Sequence, residues 1–463
     1  MVLFAGAPAH PMSCRSIARA APVLLAVLAT SAQFARAQTF SAAAPTPSQV
    51  KPIVDQTFTQ LMAAPAVQKL LDAVRADHER ATDDLRLLTE IEAPPFKEQK
   101  RAEAFLQRMK ALGLTDAKID DEGNVVGLRK GSGNGPKLLV SAHLDTVFPA
   151  GTDVRIKERD GKLYAPGISD NTRGLAVLLS WLKVLNDNKL RTVGDLLIVG
   201  NVGEEELGNL RGMKAIFREH LDIDGMVGLE AGPDGSVVML GVASHRYEVT
   251  FKAPGGNSYG AFGQVPSAIH GMGRAIAKIA EIRTPSFPKT TFTVGTVGGG
   301  TSVNTISPDA RMTLDIRSDA MEPLLETEKK ILAAIDEAVA EENRRWNVTT
   351  LSVSNKLIGD RPGGRTASDS VIVEAAIRAN AAFGHKTLLS GASTDANVPM
   401  SLGIPAIVIG SGGKTGGFHA LSEWIDLTDA WKGAQTSLVT LLGLVGVQGV
   451  SEPLLPKRPP RTR

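Results

Sequence analysis

Ser141-Ala142-His143-Leu144-Asp145-Thr146-Val147-Phe148-Pro149 follows directly on Lys137-Leu138-Leu139-Val140. A short apolar run bounded upstream by the glycines of 131–135 reads as a buried strand of a parallel sheet. His143 and Asp145 then stand at its carboxyl end, where open α/β sheets keep their ligands. Two residues apart in extended chain, they project to the same side, as a metal ligand and the group that orients it would. Taken alone, the pair reads sooner as an ordinary surface hydrogen bond than as a metal site, so the remainder of the chain decides.

Working outward, segments 73–88 and 96–112 space their apolar residues at three and four and read as amphipathic helices, with Gly113 as a stop. A helix from Thr172, a strand at Leu196–Val202, a helix near Met213 and a strand at Met226–Leu229 continue the rhythm. This is an α/β pattern with a parallel-rich sheet covered on both faces. Near Val242 the rhythm changes. Strand 246–253, helix 266–282, strands 290–297 and 311–317, helix 322–343 and strand 347–354 spell β-α-β-β-α-β, a ferredoxin-like α+β unit inserted into the larger domain. The α/β pattern resumes with a helix at Ser370–Phe383 and a strand at Ala406–Ile409. The expected organisation is therefore a signal peptide (1–37), a flexible lead-in (38–66), a catalytic domain in two parts (67–241 and 356–448), an inserted lid or dimerisation domain (242–355) and a disordered tail (449–463).

The bulk composition excludes more than it selects. At 463 residues the chain exceeds one ordinary core. With 51 basic and 49 acidic residues it carries a net charge of +2, and its one concentrated basic stretch is the tail, so no nucleic-acid partner is implied. No apolar run is long enough for stable membrane insertion. Arg15 and Arg19 precede the apolar segment 20–32, and Ala35-Arg36-Ala37 fits a small-x-small cleavage site, the pattern of a secretory signal peptide. Counted from Met12 rather than Met1, that segment has the usual length; an uncleaved anchor is the alternative. Secreted, periplasmic or extracellular residence is expected. The sole cysteine, Cys14, falls inside this segment, so a mature chain has no thiol for catalysis, zinc or disulfides.

Further acids recur at strand ends. Asp170 follows the turn-forming Ala165–Ser169 and precedes an apolar helix, so it reads either as an N-cap or as a carboxylate bridging two cations. Glu204, Glu205 and Glu206 come soon after a buried strand and repel one another unless solvent, a helix N-terminus or a cation compensates. Beside a metal they supply one ligand and one general base for water. Glu230 ends the Met226–Leu229 strand, and His419 lies in Gly416-Gly417-Phe418-His419-Ala420 after another strand and a glycine loop that lacks a phosphate-binding motif.

Taken in order, HLDTV, GISDNTRG, GEEELG, GLEAGP and GGFHALSE resemble the motifs of the co-catalytic zinc exopeptidases and deacylases that include glutamate carboxypeptidase, succinyl-diaminopimelate desuccinylase, aminoacylase and peptidase T. The resemblance runs from about residue 75 to 445. It implies two Zn2+ per chain, with cobalt or manganese as alternatives: His143, Asp170 and Glu230 for one, Asp170, Glu205 and His419 for the other. It further implies that Asp145 orients His143 and that Glu204 is the base. Gly203 precedes three glutamates, so counting back from Gly208 favours Glu205 and Glu206, whereas counting forward from the strand favours Glu204 and Glu205. Where many relatives carry a lid histidine, this chain has Gly255-Gly256-Asn257-Ser258; Asn257 can donate a hydrogen bond to an oxyanion but brings no charge. His245 and His270 are candidate substitutes for that histidine, with a structural role as the favoured reading of each.

Glu230 at its position implies, by the same resemblance, a carboxypeptidase or deacylase acting on small peptides or N-acyl amino acids. Arg361 in the turn Gly359-Asp360-Arg361-Pro362 resembles a carboxylate-gripping arginine, with a solvated loop residue as the alternative; Asn304 resembles a substrate contact. An aminopeptidase or dipeptidase of the same family and a peptide-binding pseudoenzyme are the other readings. A homodimer through the lid is expected from the resemblance.

Overall fold

The computed structural model describes residues 38–39 and 50–462; the signal-peptide reading of 1–37 lies outside them. Its main element is a ten-stranded mixed sheet. The centre is parallel: Ala406–Gly410, Gly225–Glu230, Lys137–His143 and Asp195–Asn201 lie side by side. Antiparallel neighbours flank them, Val125–Arg129 against Asp195–Asn201 and Ser236–Gly241 against Ala406–Gly410. Alternation on the central strand assigns its two faces. Leu138, Val140 and Ala142 pack into the larger core with helices Arg173–Asp187, Val371–Ala382 and Trp431–Val445, while Leu139 joins a second core under helix Arg211–Glu219. Burying both faces is why this strand reads as a continuous apolar run.

The second sheet is wholly antiparallel, in the order Thr290–Gly299, Asp309–Ser318, Ala243–Lys252, Ser352–Arg361. Helices Ala268–Ala280 and Met321–Trp346 share one core with it, built on Val249, Phe251, Met312, Leu314 and Ile316. Apart from the two-residue strands Gly256–Asn257 and Thr305–Ile306, these six elements follow one another as β-α-β-β-α-β.

Several expectations need correction. Residues 52–63 are not a flexible lead-in but a helix, Pro52–Ala63, whose Val54, Phe58 and Leu61 form a buried stripe at spacings of four and three. Pro65 starts a second helix to Ala76, and a break at Asp77 separates it from His78–Thr89, so the single helix over 73–88 is two. Helix 96–112 shortens to Gln99–Ala111. The last strand of the second sheet is Ser352–Arg361 rather than 347–354, because helix Met321–Trp346 runs on to a left-handed Asn347. Arg361 therefore closes a strand, paired with Ser244, and the unit ends beyond 355. The tail is ordered through 462: Leu454 and Leu455 donate backbone hydrogen bonds to Gly443 and Leu444, Leu455 is buried, and Arg461 donates to Leu221 and stacks on Phe217. Two apolar anchors outweigh the basic, proline-rich composition around them. Among the described residues no helix is long and apolar enough to cross a membrane.

Candidate metal centre

The carboxyl ends of three adjacent strands meet at His143. Its Nε2 lies 3.1 Å from Asp170 Oδ1 and 3.5 Å from Glu230 Oε1, and its Nδ1 lies 2.9 Å from the Asp145 carbonyl. Asp170 reaches the other way as well, with Oδ2 3.3 Å from His419 Nε2, which is in turn 3.3 Å from Glu205 Oε1. His143, Asp170 and Glu230 form one set of mutually close ligand atoms, Asp170, Glu205 and His419 a second, and His143, Glu204 and Glu205 a third, each set within 4.8 Å. Asp170 is thus shared between two three-ligand sets. It makes no side-chain cap of helix Arg173–Asp187, which removes the simpler reading of that residue.

Backbone geometry explains why these side chains converge. Asp170 sits in the wide turn Ile168–Thr172, held by the fully buried Glu423. The carboxylate of Glu423 accepts from Ser169 N (2.8 Å), Ser169 Oγ (2.7 Å), Asp170 N (3.0 Å) and Gly167 N (3.1 Å). Asp145 does similar work for the glutamates: its carboxylate accepts from the backbone N–H of Glu204 at 3.1 Å and of Glu205 at 2.7 Å. Its carboxylate lies 3.7 Å from His143 Nδ1, so orientation of the ring falls to its main-chain carbonyl. Glu204 and Glu205 are buried, whereas Glu206 is exposed with φ 43°. Of the two ways to count the three glutamates, the structure brings the forward pair into the site.

Electrostatics show what the donor set lacks. Burial pushes Glu230 up to about 7, against the pull of His143. Glu204 is raised well above the carboxylate range, first by burial and also by neighbouring Glu205, against the pull of Arg361. Asp170 is held low despite its burial by hydrogen bonds with His143 and His419, and those to Asp170 and Glu205 bring His419 up to about 10. Four acids converging on two imidazoles are short of positive charge. Carboxylate and imidazole donors shared through one bridging aspartate fit a pair of divalent cations.

Two buried acids at the candidate site were not singled out from sequence. Glu423 lies within the GGFHALSE stretch, four positions after His419, but its partners are more than 250 residues away. Asp395, in Ser393-Thr394-Asp395, is buried beside the site, accepts from Asn201 Nδ2 at 2.6 Å, and is raised to about 6 by burial. A strand preceding it, Leu388–Ala392, was the available signal.

The candidate substrate residues are each held by contacts within the protein. Arg361 is buried; its Nη1 reaches Glu204 Oε1 (3.4 Å) and Ser393 Oγ (3.3 Å), and its Nη2 donates to the Glu204 carbonyl. It props the glutamate loop rather than standing as a solvated loop arginine. Asn257 uses its side-chain oxygen for a local turn, accepting from Tyr259 N and Gly260 N, and Asn304 accepts from Ser302 Oγ. These two loops touch, Ser258 N donating to the Asn304 carbonyl, but neither side chain is hydrogen-bonded to the metal cluster among the described contacts. His245 pairs with Glu328 and Asp360, and His270 faces Glu342.

Comparison with known proteins agrees with this geometry. A model of the family described as Peptidase family M20/M25/M40 matches residues 139–442. An uncharacterised protein of Bacillus subtilis (strain 168), YqjE, is 26% identical over 383 residues, taking in 78% of this chain and 96% of that protein. Carboxypeptidase G2 of Pseudomonas sp. (strain RS-16) is 32% identical over 161 residues, which are 32% of this chain and 38% of that protein. The solved structure of aminopeptidase PepT from Bacillus cereus ATCC 10987 is similar with a TM-score of 0.64 at 23% identity, covering 78% of this chain and 97% of that one, a likeness of fold.

Proposed function

The chain belongs to peptidase family M20/M25/M40, a metallopeptidase/amidohydrolase of that family, and from this premise we propose that it is a two-zinc hydrolase releasing an amino acid from small peptides or N-acyl amino acids, of carboxypeptidase or deacylase polarity. The observation that carries the reading is Asp170, shared between His143 with Glu230 and His419 with Glu205. Those five side chains would hold the cations. When bound, the cations supply Lewis-acid polarisation of the amide carbonyl and lower the pKa of water.

The chain's own residues do the rest. Glu204 accepts the proton of the attacking water and delivers it to the leaving nitrogen; burial raises its proton affinity, the direction a proton carrier needs. Asp145 fixes the main chain of Glu204 and Glu205 from one side and Arg361 from the other, so the base has little freedom to leave its position. Glu423 fixes the shared aspartate.

Glu230 supports the carboxypeptidase or deacylase polarity. Export through the segment ahead of residue 38 and a homodimer through the second sheet, whose edge strand Thr290–Gly299 has no strand on one side among the described residues, are part of the same proposal. The test compares zinc-loaded wild type with Glu204→Gln on N-blocked and C-blocked dipeptides and on N-acyl amino acids. Turnover of N-blocked and N-acyl substrates, abolished by the substitution with metal retained, is expected. Turnover confined to substrates with a free amine would replace the polarity with that of an aminopeptidase; no turnover of any amide would overturn the hydrolase.

A further inference from the structure

Large apolar side chains stand in solvent in the two segments that carry Glu205 and His419. Leu207, two residues past Glu205, is 50% exposed, and Leu421, two residues past His419, is 72% exposed. Phe96 is 60% exposed and has φ 65°, a left-handed conformation that a bulky aromatic rarely adopts. Its location is tied to the glutamate loop. The backbone N–H of Phe96 donates to buried Glu98 (3.1 Å), Glu98 accepts from Arg211 Nη2 (2.9 Å), and the Arg211 guanidinium lies 5.3 Å from the Phe96 ring. Arg211 in turn packs on Gly203, next to Glu204: a β-carbon added there would lie 2.6 Å from Arg211 Cγ.

Single exposed apolar residues need no explanation, but one held outward at a conformational cost does. The same network shows what this rim does not offer. Arg211 is neutralised by Glu98 and Glu122, Arg361 by Glu204 and Arg246, which donates to the Glu206 carbonyl, by Asp315, so the three guanidiniums around the glutamate loop already have acidic partners. No guanidinium there is left free to grip an acidic substrate side chain, and the exposed Glu206 beside Leu207 disfavours one further.

We infer that Phe96, Leu207 and Leu421 form an apolar receiving rim that selects amides bearing a bulky aromatic or branched aliphatic group next to the scissile bond. This deepens the proposed function and rests on it. Covering a large apolar side chain corresponds to about ten-fold to a hundred-fold in kcat/KM over a charged one of similar size.

The test measures kcat/KM of the zinc-loaded protein on N-acyl amino acids and dipeptides that differ only in one side chain: phenylalanine or leucine against glutamate or lysine. Wild type is compared with Phe96→Gly, Leu207→Ser and, as a control on the outward face of helix Pro52–Ala63, Ile53→Ser. Glycine accepts the left-handed backbone at position 96 without strain, so Phe96→Gly keeps the fold while removing the ring. Apolar substrates are expected to lead by at least about ten-fold, with most of that preference lost in Phe96→Gly or Leu207→Ser and kept in Ile53→Ser. Turnover that favours glutamate or lysine side chains, or a preference unchanged in both rim variants, would overturn the rim and leave the hydrolase standing; turnover of nothing in the series would overturn both.

Discussion

Glu423→Ala tests how the shared aspartate is held. The Glu423 carboxylate has no exposed surface and accepts four hydrogen bonds from the turn at 167–170, three of them from backbone N–H groups. Hydrogen bonds to a charged acceptor contribute about 1.5–3 kcal/mol each, and a buried donor left without a partner costs about 1–3 kcal/mol. Burial raises the pKa of Glu423, so part of that gain offsets the cost of desolvating its charge. The net loss expected on unfolding is about 3–5 kcal/mol, the usual cost of breaking a buried charged network. Glu423→Gln keeps one oxygen and loses the bond at the other, for about 1–3 kcal/mol. The turn carries Asp170, so both variants should also weaken metal binding, by about ten-fold to a hundred-fold as for other outer partners of metal ligands. Zinc titration against a chromophoric chelator and urea unfolding of the metal-free proteins separate the two effects. Unchanged zinc affinity in Glu423→Ala, despite lost stability, would refute the claim that this carboxylate positions Asp170.

Other consequences follow from the same contacts. Asp145→Asn replaces one of the two oxygens that accept from Glu204 N and Glu205 N, and kcat should fall by more than ten-fold while the metal-free fold persists by circular dichroism. Phe58→Ala, at a fully buried side chain of the first helix, should cost about 3–5 kcal/mol in urea unfolding, which a flexible lead-in would not. His245 has its pKa raised by hydrogen bonds to Asp360 and Glu328, against burial. Folded His245 therefore holds its proton to higher pH than unfolded chain does. Its contribution is complete below the unfolded value of about 6.5 and is lost as pH rises through the folded value. The stability difference between wild type and His245→Gln, measured by urea unfolding from pH 6 to 9, should shrink with rising pH; a constant difference would contradict this.

Much of the fold was legible because it is written in local periodicity. Leu138, Val140 and Ala142 against Leu139 mark a strand buried on both faces, and the order of elements from 243 to 361 follows from their own patterns. The convergence of the candidate ligands was legible for a related reason: strands end where their apolar run stops, and His143, Glu230 and the glutamates stand at or just beyond those ends. Contacts between distant segments were not. Nothing local to Glu423 announces Ser169, and nothing local to Asp395 announces Asn201. Arg361 reads as a turn residue from Gly359 and Pro362, but pairing with Ser244 makes it strand and its guanidinium turns to Glu204. In helix Pro52–Ala63 the stripe of Val54, Phe58 and Leu61 was present in the sequence, masked by the alanine and proline composition around it.

The central claim is that two cation sites share Asp170, and metal stoichiometry by mass spectrometry and isothermal titration tests it most directly. Wild type should bind two zinc ions per chain, His419→Ala one tightly, Glu230→Ala one tightly, and Asp170→Ala neither with comparable affinity. Two tightly bound ions in Asp170→Ala, or a wild type that saturates at one, would contradict the account.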